Sequence, residues 1–178
     1  MRIYFELLLV RLRLRLFVLL RNPPRIRLLR ADGVKIDKNC LVHTPYFSVE
    51  PYLIEIGDHV AISSGTEFIT HDAVGWLFQD HPNMGIFGPI KVGNNTFFGL
   101  KCTILPGTTI GSNCVIGAGS VVRGVIADDS VVMGNPAKVI MKTSLLKMML
   151  LNSRNRLETH MFNSEQKKRA LLKHFGME

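Results

Sequence analysis

Between Val92 and Ala127 the chain repeats itself every six residues, and no other property restricts its fold so severely. Written in sixes, the stretch reads VGNNTF, FGLKCT, ILPGTT, IGSNCV, IGAGSV, VRGVIA. The first position is Val92, Phe98, Ile104, Ile110, Ile116 and Val122, always large and apolar. The second is Gly93, Gly99, Leu105, Gly111, Gly117 and Arg123. The fifth is Thr96, Cys102, Thr108, Cys114, Ser120 and Ile126, small in five of six. The same phase runs through IGDHVA (56–61) and ISSGTE (62–67), and Phe68 opens a further six. A weaker echo lies at Ile36-Asp37 and Val42.

Such a period predicts a solenoid of short strands joined by tight turns, each coil pairing its backbone with the coils above and below. The first-position residue fills the interior, and the small fifth-position residue sits where the interior narrows. Gly and Asn at the second to fourth positions suit corners that need positive φ or close backbone approach. An ordinary sandwich instead predicts alternation of period two and turns every eight to twelve residues, which this stretch lacks. Two of the three cysteines, Cys102 and Cys114, fall on the small inward position, so they read as packing residues. With Cys40 they form an odd set without a CxxC, which argues against a disulfide framework or a zinc knuckle and for a reducing, cytoplasmic location.

The phase holds from Ile56 to about Ala73 and resumes at Val92. Residues 74–91, VGWLFQDHPNMGIFGPIK, therefore read as a loop inserted in the solenoid, and such loops gather on the functional face. His71 stands where the chain departs. A histidine at that point is a candidate for chemistry rather than packing. Asp72, adjacent to it, reads either as its partner or as a turn residue. Glu50, on a different segment, reads as a partner for the imidazole, an acceptor ligand or a solvated carboxylate. Trp76, Phe78 and His81 are the candidate substrate contacts within the loop, with packing against a neighbouring subunit the alternative for Trp76.

The hexads, together with GNPAKVI (134–140), resemble the hexapeptide-repeat acyltransferases over roughly residues 34–142. EPYLIEIGDHVAISSGTEFITHD, then a Trp-containing loop and GPIKVG, is similar to the branch that acetylates sugars of bacterial surface polysaccharides such as lipopolysaccharide. The resemblance implies a mainly β fold: a left-handed parallel β-helix of hexapeptide repeats, with an N-terminal segment and C-terminal helices. It implies a homotrimer with active sites in the clefts between β-helices, and acetyl-CoA as co-substrate without a metal. It implies His71 as general base: a neutral imidazole takes the proton of a sugar hydroxyl as the oxygen attacks the thioester carbonyl, with a backbone N–H as oxyanion donor. On the coenzyme side it points to Gly99, Gly117 and Ala118 as a groove wall, Asn135 and Pro136 as a turn, and Lys138 as a phosphate contact. Relatives often carry a further basic residue three positions on. Here that place is Met141, and the adjacent Lys142 can substitute. Relatives often have two glycines after the His-Asp pair, where this chain has Ala73-Val74. That departure stiffens the loop base and bears on the acceptor class more than on the reaction.

Charge divides the chain into three parts. Residues 1–30 carry eight Arg against one Glu, residues 31–137 five basic against ten acidic residues, and residues 138–178 nine basic against three acidic. An acidic body is thus flanked by two basic ends that favour anionic partners. Residues 1–33 read as a basic apolar segment, either a helix packed on the body or another subunit, or an interfacial segment with its arginines towards lipid phosphates at the inner membrane face. The alternation RLRLRL also fits a strand. Pro23 and Pro24 end whatever precedes them. No uninterrupted apolar run approaches a membrane span. Residues 143–178 lose the hexad phase and read as a helical extension, with Thr143 capping one helix and Asn163 with Gln166 capping a second that ends at Gly176. No base-reading motif accompanies the basic tail, so nucleic acid is not expected as a partner. His43, His59, His71 and His81 lack the close pair of a zinc enzyme of carbonic anhydrase type on the same scaffold. The reading is therefore O-acetylation of a sugar or glycan. The alternatives are N-acetylation of a nucleotide-linked amino sugar, antibiotic acetylation, and an inert scaffold.

Overall fold

The computed structural model describes Phe17, Leu20 and residues 22–177. It comprises two compact units, one running to Ser144 and one starting at Leu145. The first begins with α1 (Asn22–Ala31) and continues as five coils. The opening coil contributes β1 (Lys35–Ile36) and β2 (Leu41–Val42). The second contributes β3 (Ile54–Ile56), β4 (Ala61–Ile62) and β5 (Glu67–Phe68), followed by β6 (His71–Asp72) and β7 (Ile86–Phe87) outside the coil. The third holds β8 (Ile90–Val92), β9 (Phe97–Phe98) and β10 (Thr103–Ile104). The fourth holds β11 (Thr109–Ile110), β12 (Val115–Ile116) and β13 (Val121–Val122). The last holds β14 (Val125–Ile126) and β15 (Ser130–Gly134), against which β16 (Ala137–Lys142) folds back.

These strands stack into three parallel faces. The first is β1-β3-β8-β11-β14, the second β2-β4-β9-β12-β15 with β16 antiparallel at its end, and the third β5-β10-β13. Phe47 extends the third face by a bridge to Phe68. Each strand is short because each coil turns at three corners, and each inward residue alternates with an outward one. The inward side chains form the core: Val42, Ile54, Ile62, Phe68, Ile90, Phe98, Ile104, Ile110, Ile116, Val122 and Val132 are essentially fully buried. Burying one such side chain contributes about 1.5–3 kcal/mol. The small positions do what their size requires. Cys102 and Cys114 donate their thiols to backbone carbonyls, and burial pushes all three cysteine thiols, Cys40 included, above their usual pKa range. These are packing groups, not nucleophiles.

The corner between the first and second faces is held by side-chain ladders. Asn39, His59, Asn95, Asn113 and Asp129 all have φ between 52° and 59°. Left-handed backbone is costly for most residues, and Asn and Asp tolerate it best. They also pair coil to coil: His59 Nδ1 lies 2.9 Å from Asn95 Oδ1, Asn95 Nδ2 donates to Asn113 Oδ1 at 2.8 Å, and Asn113 Nδ2 to Asp129 Oδ1 at 3.1 Å. His59 is thus a corner residue.

Each end of the solenoid has a strand edge that is covered, as open edges require. At one end Asn22 Nδ2 donates to the Cys40 carbonyl, and the Val42 N–H donates to Asn22 Oδ1, both at 2.7 Å. Arg30 donates to the carbonyls of Ile36 and Asp37. Pro23 and Pro24 therefore also open a helix, since a first-turn proline lacks only an N–H that has no helical partner. The packing or membrane role expected of residues 1–16 lies outside the described residues. At the other end β16 pairs with β15.

The second unit contains most of α2 (Thr143–Leu151) and all of α3 (Ser164–Phe175). Asn163 and Gln166 form the expected reciprocal cap, and Gly176 closes α3 in left-handed conformation. Thr143 does not cap: it is the first helical residue, and its hydroxyl donates to the Asn113 carbonyl. Among the described residues no helix is long and apolar enough to cross a membrane.

Two details of the repeat are corrected. The hexad VRGVIA is not one: Ile126 pairs with Ile110, so it takes the interior position, and the turn at Arg123-Gly124 is two residues short. That is why Ile126 broke the rule of small fifth positions. The excursion also lies earlier than residues 74–91. Ile90 to Val92 already pair with Ile54 to Ile56, and the Gly88 N–H donates to the Thr70 carbonyl at 2.8 Å. The loop is therefore residues 71–88. Lys91 pairs with Glu55, thirty-six residues back, and with Thr109, eighteen residues on, so the loop adds one full coil length. An insertion of three hexads leaves the phase untouched, and phase alone cannot place it.

Candidate active site

The loop leaves at the third corner, between the third face and the first. In the next coil that corner is the tight turn Leu105-Pro106-Gly107-Thr108. A Cβ on Gly88 would lie 2.3 Å from the Gly107 amide nitrogen, so the returning chain needs glycine to pass that turn. His71 and Asp72 pair antiparallel with Phe87 and Ile86 to form the loop's neck. Above the neck, Val74–Leu77 make one 3-10 turn. Gly75 is buried there, and a Cβ on it would lie 2.0 Å from the Met84 carbonyl oxygen. Glycine is thus required one residue beyond Ala73-Val74.

His71 is positioned by three contacts. The antiparallel neck fixes its backbone. The Phe87 ring lies beside the imidazole, centroids 5.8 Å apart. Glu50, from the corner of the first coil, places Oε2 2.9 Å from His71 Nδ1. The glutamate side chain is 16% exposed and the histidine 35%, so the pair is sheltered but open on one side. Thr70 Oγ1, 2.7 Å from the same carboxylate oxygen, is the first cause of a Glu50 pKa below the usual carboxylate range. His71 and Ser48 add to it against the opposing effect of burial. An ionised carboxylate only accepts hydrogen bonds, so Nδ1 carries the proton of a neutral imidazole. Nε2 then holds the lone pair, and among the described residues it has no hydrogen-bond partner.

Of the two candidate partners, the structure brings Glu50 to His71 and leaves Asp72 elsewhere. Asp72 is exposed, and its Oδ1 accepts the Val74 N–H at 2.9 Å, which makes it the turn residue at the loop base. Neighbours on a strand face opposite sides, so Asp72 and His71 diverge. Ser48 and Thr70 were not marked by the sequence. Neither sits at a hexad position that demands its type, and their meeting depends on how two coils stack.

The loop presents an apolar surface. Trp76 is 87% exposed, and Leu77, Phe78, Ile86 and Phe87 are exposed beside it. His81 lies on the same loop, its Nε2 3.5 Å from Asp80 Oδ2. Among the described residues no group of three His, Cys, Asp or Glu is arranged as metal ligands.

The residues expected on the coenzyme side lie at the second corner and on the second face. Gly99 is buried, its N–H donates to the Ile116 carbonyl, and a Cβ would lie 2.5 Å from the Ala118 nitrogen. The Gly117 N–H donates to the Val132 carbonyl. Both amides are therefore used within the sheet, and these glycines serve close approach between coils rather than offering donors. Ala118 is exposed beside them, and among the described residues its N–H has no acceptor. Asn135 and Pro136 form the exposed turn between β15 and β16. Lys138 is exposed on β16, and Lys142 Nζ reaches the Asp128 carbonyl at 3.4 Å.

Comparison with known proteins agrees with this architecture. Residues 89–123 match the family model described as the hexapeptide repeat of succinyl-transferase. Protein CapG of Staphylococcus aureus is 40% identical over 151 residues, covering 83% of this chain and 87% of that protein. The chain belongs to the hexapeptide-repeat acetyltransferases. Its three-faced solenoid is the left-handed parallel β-helix of that family. A maltose O-acetyltransferase from Clostridium difficile 630 is similar in structure, with a TM-score of 0.55 and 27% identity over 72% of this chain and 81% of that one. A hexapeptide-repeat acetyltransferase from Vibrio cholerae, solved in complex with acetyl coenzyme A, gives 0.54 and 26% over 70% and 79%. In this acetyltransferase the irregular corner, with its sheltered His-Glu pair, is the candidate for the chemistry.

Proposed function

We propose that this acetyltransferase moves an acetyl group from acetyl-CoA to a hydroxyl of a sugar or surface glycan, with His71 as general base. The observation that carries the reading is the His71–Glu50 pair at the loop neck, with Nε2 open to a substrate. A hydroxyl oxygen is a poor nucleophile while it keeps its proton. Nε2 accepts that proton as the oxygen attacks the thioester carbonyl, and returns it to the departing thiolate. Glu50 holds the imidazole and stabilises its protonated form, a contribution of about 10²–10⁴ in rate for the base as a whole. A backbone N–H stabilises the oxyanion. Trp76 and Phe78 offer the flat apolar surfaces on which sugar rings stack, with His81 at the loop tip. The O-acetyltransferase among the structural relatives supports a hydroxyl acceptor, and the relative solved with acetyl coenzyme A supports the donor.

On the donor side, the free Ala118 N–H, the Asn135-Pro136 turn, Lys138 and Lys142 would hold the pantetheine arm and phosphates. They lie on a different corner and face from His71 in the same chain. This reading therefore assigns the complete site to a cleft between two copies in a homotrimer. Contact of residues 1–22 with an anionic membrane belongs to the same reading. Deleting residues 1–16, which spares Phe17 and the Asn22 bonds to the first coil, should abolish sedimentation with anionic vesicles and leave the trimer intact.

The direct test is thiol release from acetyl-CoA in the presence of mono- and oligosaccharides. Release that depends on the sugar, with an acetylated product cleaved by mild alkali, is expected. An alkali-stable acetyl product would show an amide and favour an amino-sugar acceptor. Full turnover in His71→Ala would remove His71 from the mechanism.

A further inference from the structure

Seven hydroxyl side chains are buried in the solenoid: Thr44, Thr66, Thr70, Thr96, Thr108, Ser120 and Ser130. Six of them donate to backbone carbonyls. Thr44 donates to Thr66, Thr66 to Gly99, Thr96 to Gly111, Thr108 to Leu105, Ser120 to Gly117 and Ser130 to Asp128. That is what a buried hydroxyl in a narrow interior is expected to do. Thr70 is the exception. Its Oγ1 lies 2.7 Å from Glu50 Oε2 and 2.6 Å from Ser48 Oγ, and among the described residues it meets no carbonyl.

Ser48 is unusual in its own way. It has φ 50°, a left-handed state that among the described residues it shares, outside Gly, Asn and Asp, with His59 and Lys101, and that disfavours side chains. It stands outside the corner ladders. Its hydroxyl accepts the Thr70 N–H at 3.2 Å and lies 3.4 Å from Glu50 Oε2. A serine held in an unfavourable conformation, bonded to both the backbone and the side chain of Thr70, is a purchase on that residue from the neighbouring coil.

We propose that Thr70 and Ser48 are positioning residues that hold the Glu50 carboxylate against His71 Nδ1 and so keep Nε2 as the open proton acceptor. The proposal rests on the reading of His71 as general base. The proton arrangement is self-consistent. With its own proton given to the carboxylate, Thr70 accepts from Ser48, and every donor in the chain Ser48, Thr70, His71 points towards Glu50. Such aligned bonds reinforce one another. Among the described residues, the side chains acting on Glu50 are Thr70, His71 and Ser48, with the Phe87 ring beside the imidazole. Among those residues its one ion pair is with His71. Without the Thr70 hydroxyl, Glu50 is free to rotate, and the neutral imidazole can carry its proton on either nitrogen.

Thr70→Val keeps the shape and removes the hydroxyl, Thr70→Ser restores it, and Ser48→Gly removes the other hydroxyl while suiting the left-handed backbone. Each is assayed for kcat and KM by thiol release, and the His71 tautomer is read from imidazole ¹⁵N shifts. Thr70→Val should lose about 10-fold or more in kcat with little change in KM for acetyl-CoA, and its tautomer signal should become mixed. Thr70→Ser should recover both, and Ser48→Gly should shift both the same way by less. A folded Thr70→Val protein with the parent kcat and the pure Nδ1–H tautomer would overturn the proposal. Should Thr70→Val fail to fold, parent values for both readouts in Ser48→Gly would overturn it equally. His71→Ala separates the two readings. If it is inactive while Thr70→Val is normal, only the positioning role fails. If His71→Ala turns over normally, the general-base reading fails first.

Discussion

The first corner of the solenoid steps by six residues between inward side chains in all five coils, the second does so in three coils and by five in the opening one, from Val42 to Phe47, and the third does so once. From the first face to the second the inward pairs are Ile36 and Val42, Ile56 and Ile62, Val92 and Phe98, Ile110 and Ile116, Ile126 and Val132. At the third corner the step is nine from Phe47 to Ile56, twenty-four from Phe68 to Val92, six from Ile104 to Ile110, and four from Val122 to Ile126. The regular corners are pinned by ladders in which each coil's side chain or backbone bonds to the next, so a change of length in one coil would break several bonds. The third corner keeps coil-to-coil bonds such as Thr108 Oγ1 to the Val122 carbonyl and Thr109 N–H to the Gly124 carbonyl, but among the described residues it has no side-chain ladder like that of the first corner. It carries the loop, the His71–Glu50 pair and the buried hydroxyl that bonds away from the backbone. Regularity makes the scaffold, and its one irregular edge is where side chains are free to be placed for chemistry.

Removing the loop is the most severe way to break this contrast. Deleting residues 71–88 joins Thr70 to Pro89 and removes one coil length, so every strand register survives. The shortened protein should fold, with a far-ultraviolet circular dichroism spectrum of parent shape, and have no acetyl transfer. Deleting seventeen residues instead shifts the register by one and turns inward side chains outward. That variant should be insoluble or unfolded. Equal solubility of the two would contradict the account of the excursion as a full-coil insertion.

A smaller effect is expected in the core. Ile116 is fully buried on the second face, and Ile116→Ala should cost about 2–5 kcal/mol, measured by urea unfolding. At the regular corner, Asn113→Ala removes two ladder bonds and leaves a Cβ residue at φ 57°. It should cost about 1–2 kcal/mol for the backbone alone, and Asn113→Gly should cost less. If Asn113→Gly is the worse of the two, the ladder's value lies elsewhere.

The mildest contrast concerns acid. Glu50 at the irregular corner and Glu55 on the first face both have lowered pKa values, Glu50 through the Thr70 hydroxyl first and Glu55 through Lys35 first. A carboxyl with a lowered folded pKa contributes stability that is fully present above its unfolded pKa and fades as pH falls through the folded one. Both contributions should therefore fade below about pH 4.5. Glu50→Gln and Glu55→Gln should each flatten the acid limb of Tm against pH. Added salt should erase the Glu55 contribution first, because that pair is exposed to screening.

Much of this was legible in the chain. The interior positions from Val92 to Val122 followed from the period because one side chain per hexad must face inward. His71 stood out because the phase failed nearby. Glu50 was one of two possible partners, and only the stacking of the first coil on the second brought it to the imidazole. The loop's edges escaped because its length is a multiple of the repeat. Gly99 and Gly117 are ambiguous for a physical reason: a glycine that lets two backbones approach looks the same in sequence as one that admits a ligand. Thr70 and Ser48 carried no signal, since a hydroxyl's partner is set by residues more than twenty positions away.

Two histidines allow the contrast to be tested in one experiment. His59 sits in the ladder of a regular corner, where the neighbouring coils have asparagine, and His71 sits at the irregular one. Acetyl-CoA turnover with the best sugar acceptor, measured together with coenzyme A binding, should be compared in His59→Asn and His71→Asn. The account predicts parent turnover in His59→Asn. It predicts a loss of about 100-fold or more in His71→Asn, with coenzyme binding retained in both. Parent turnover in His71→Asn, or an equal loss in the two variants, would contradict it.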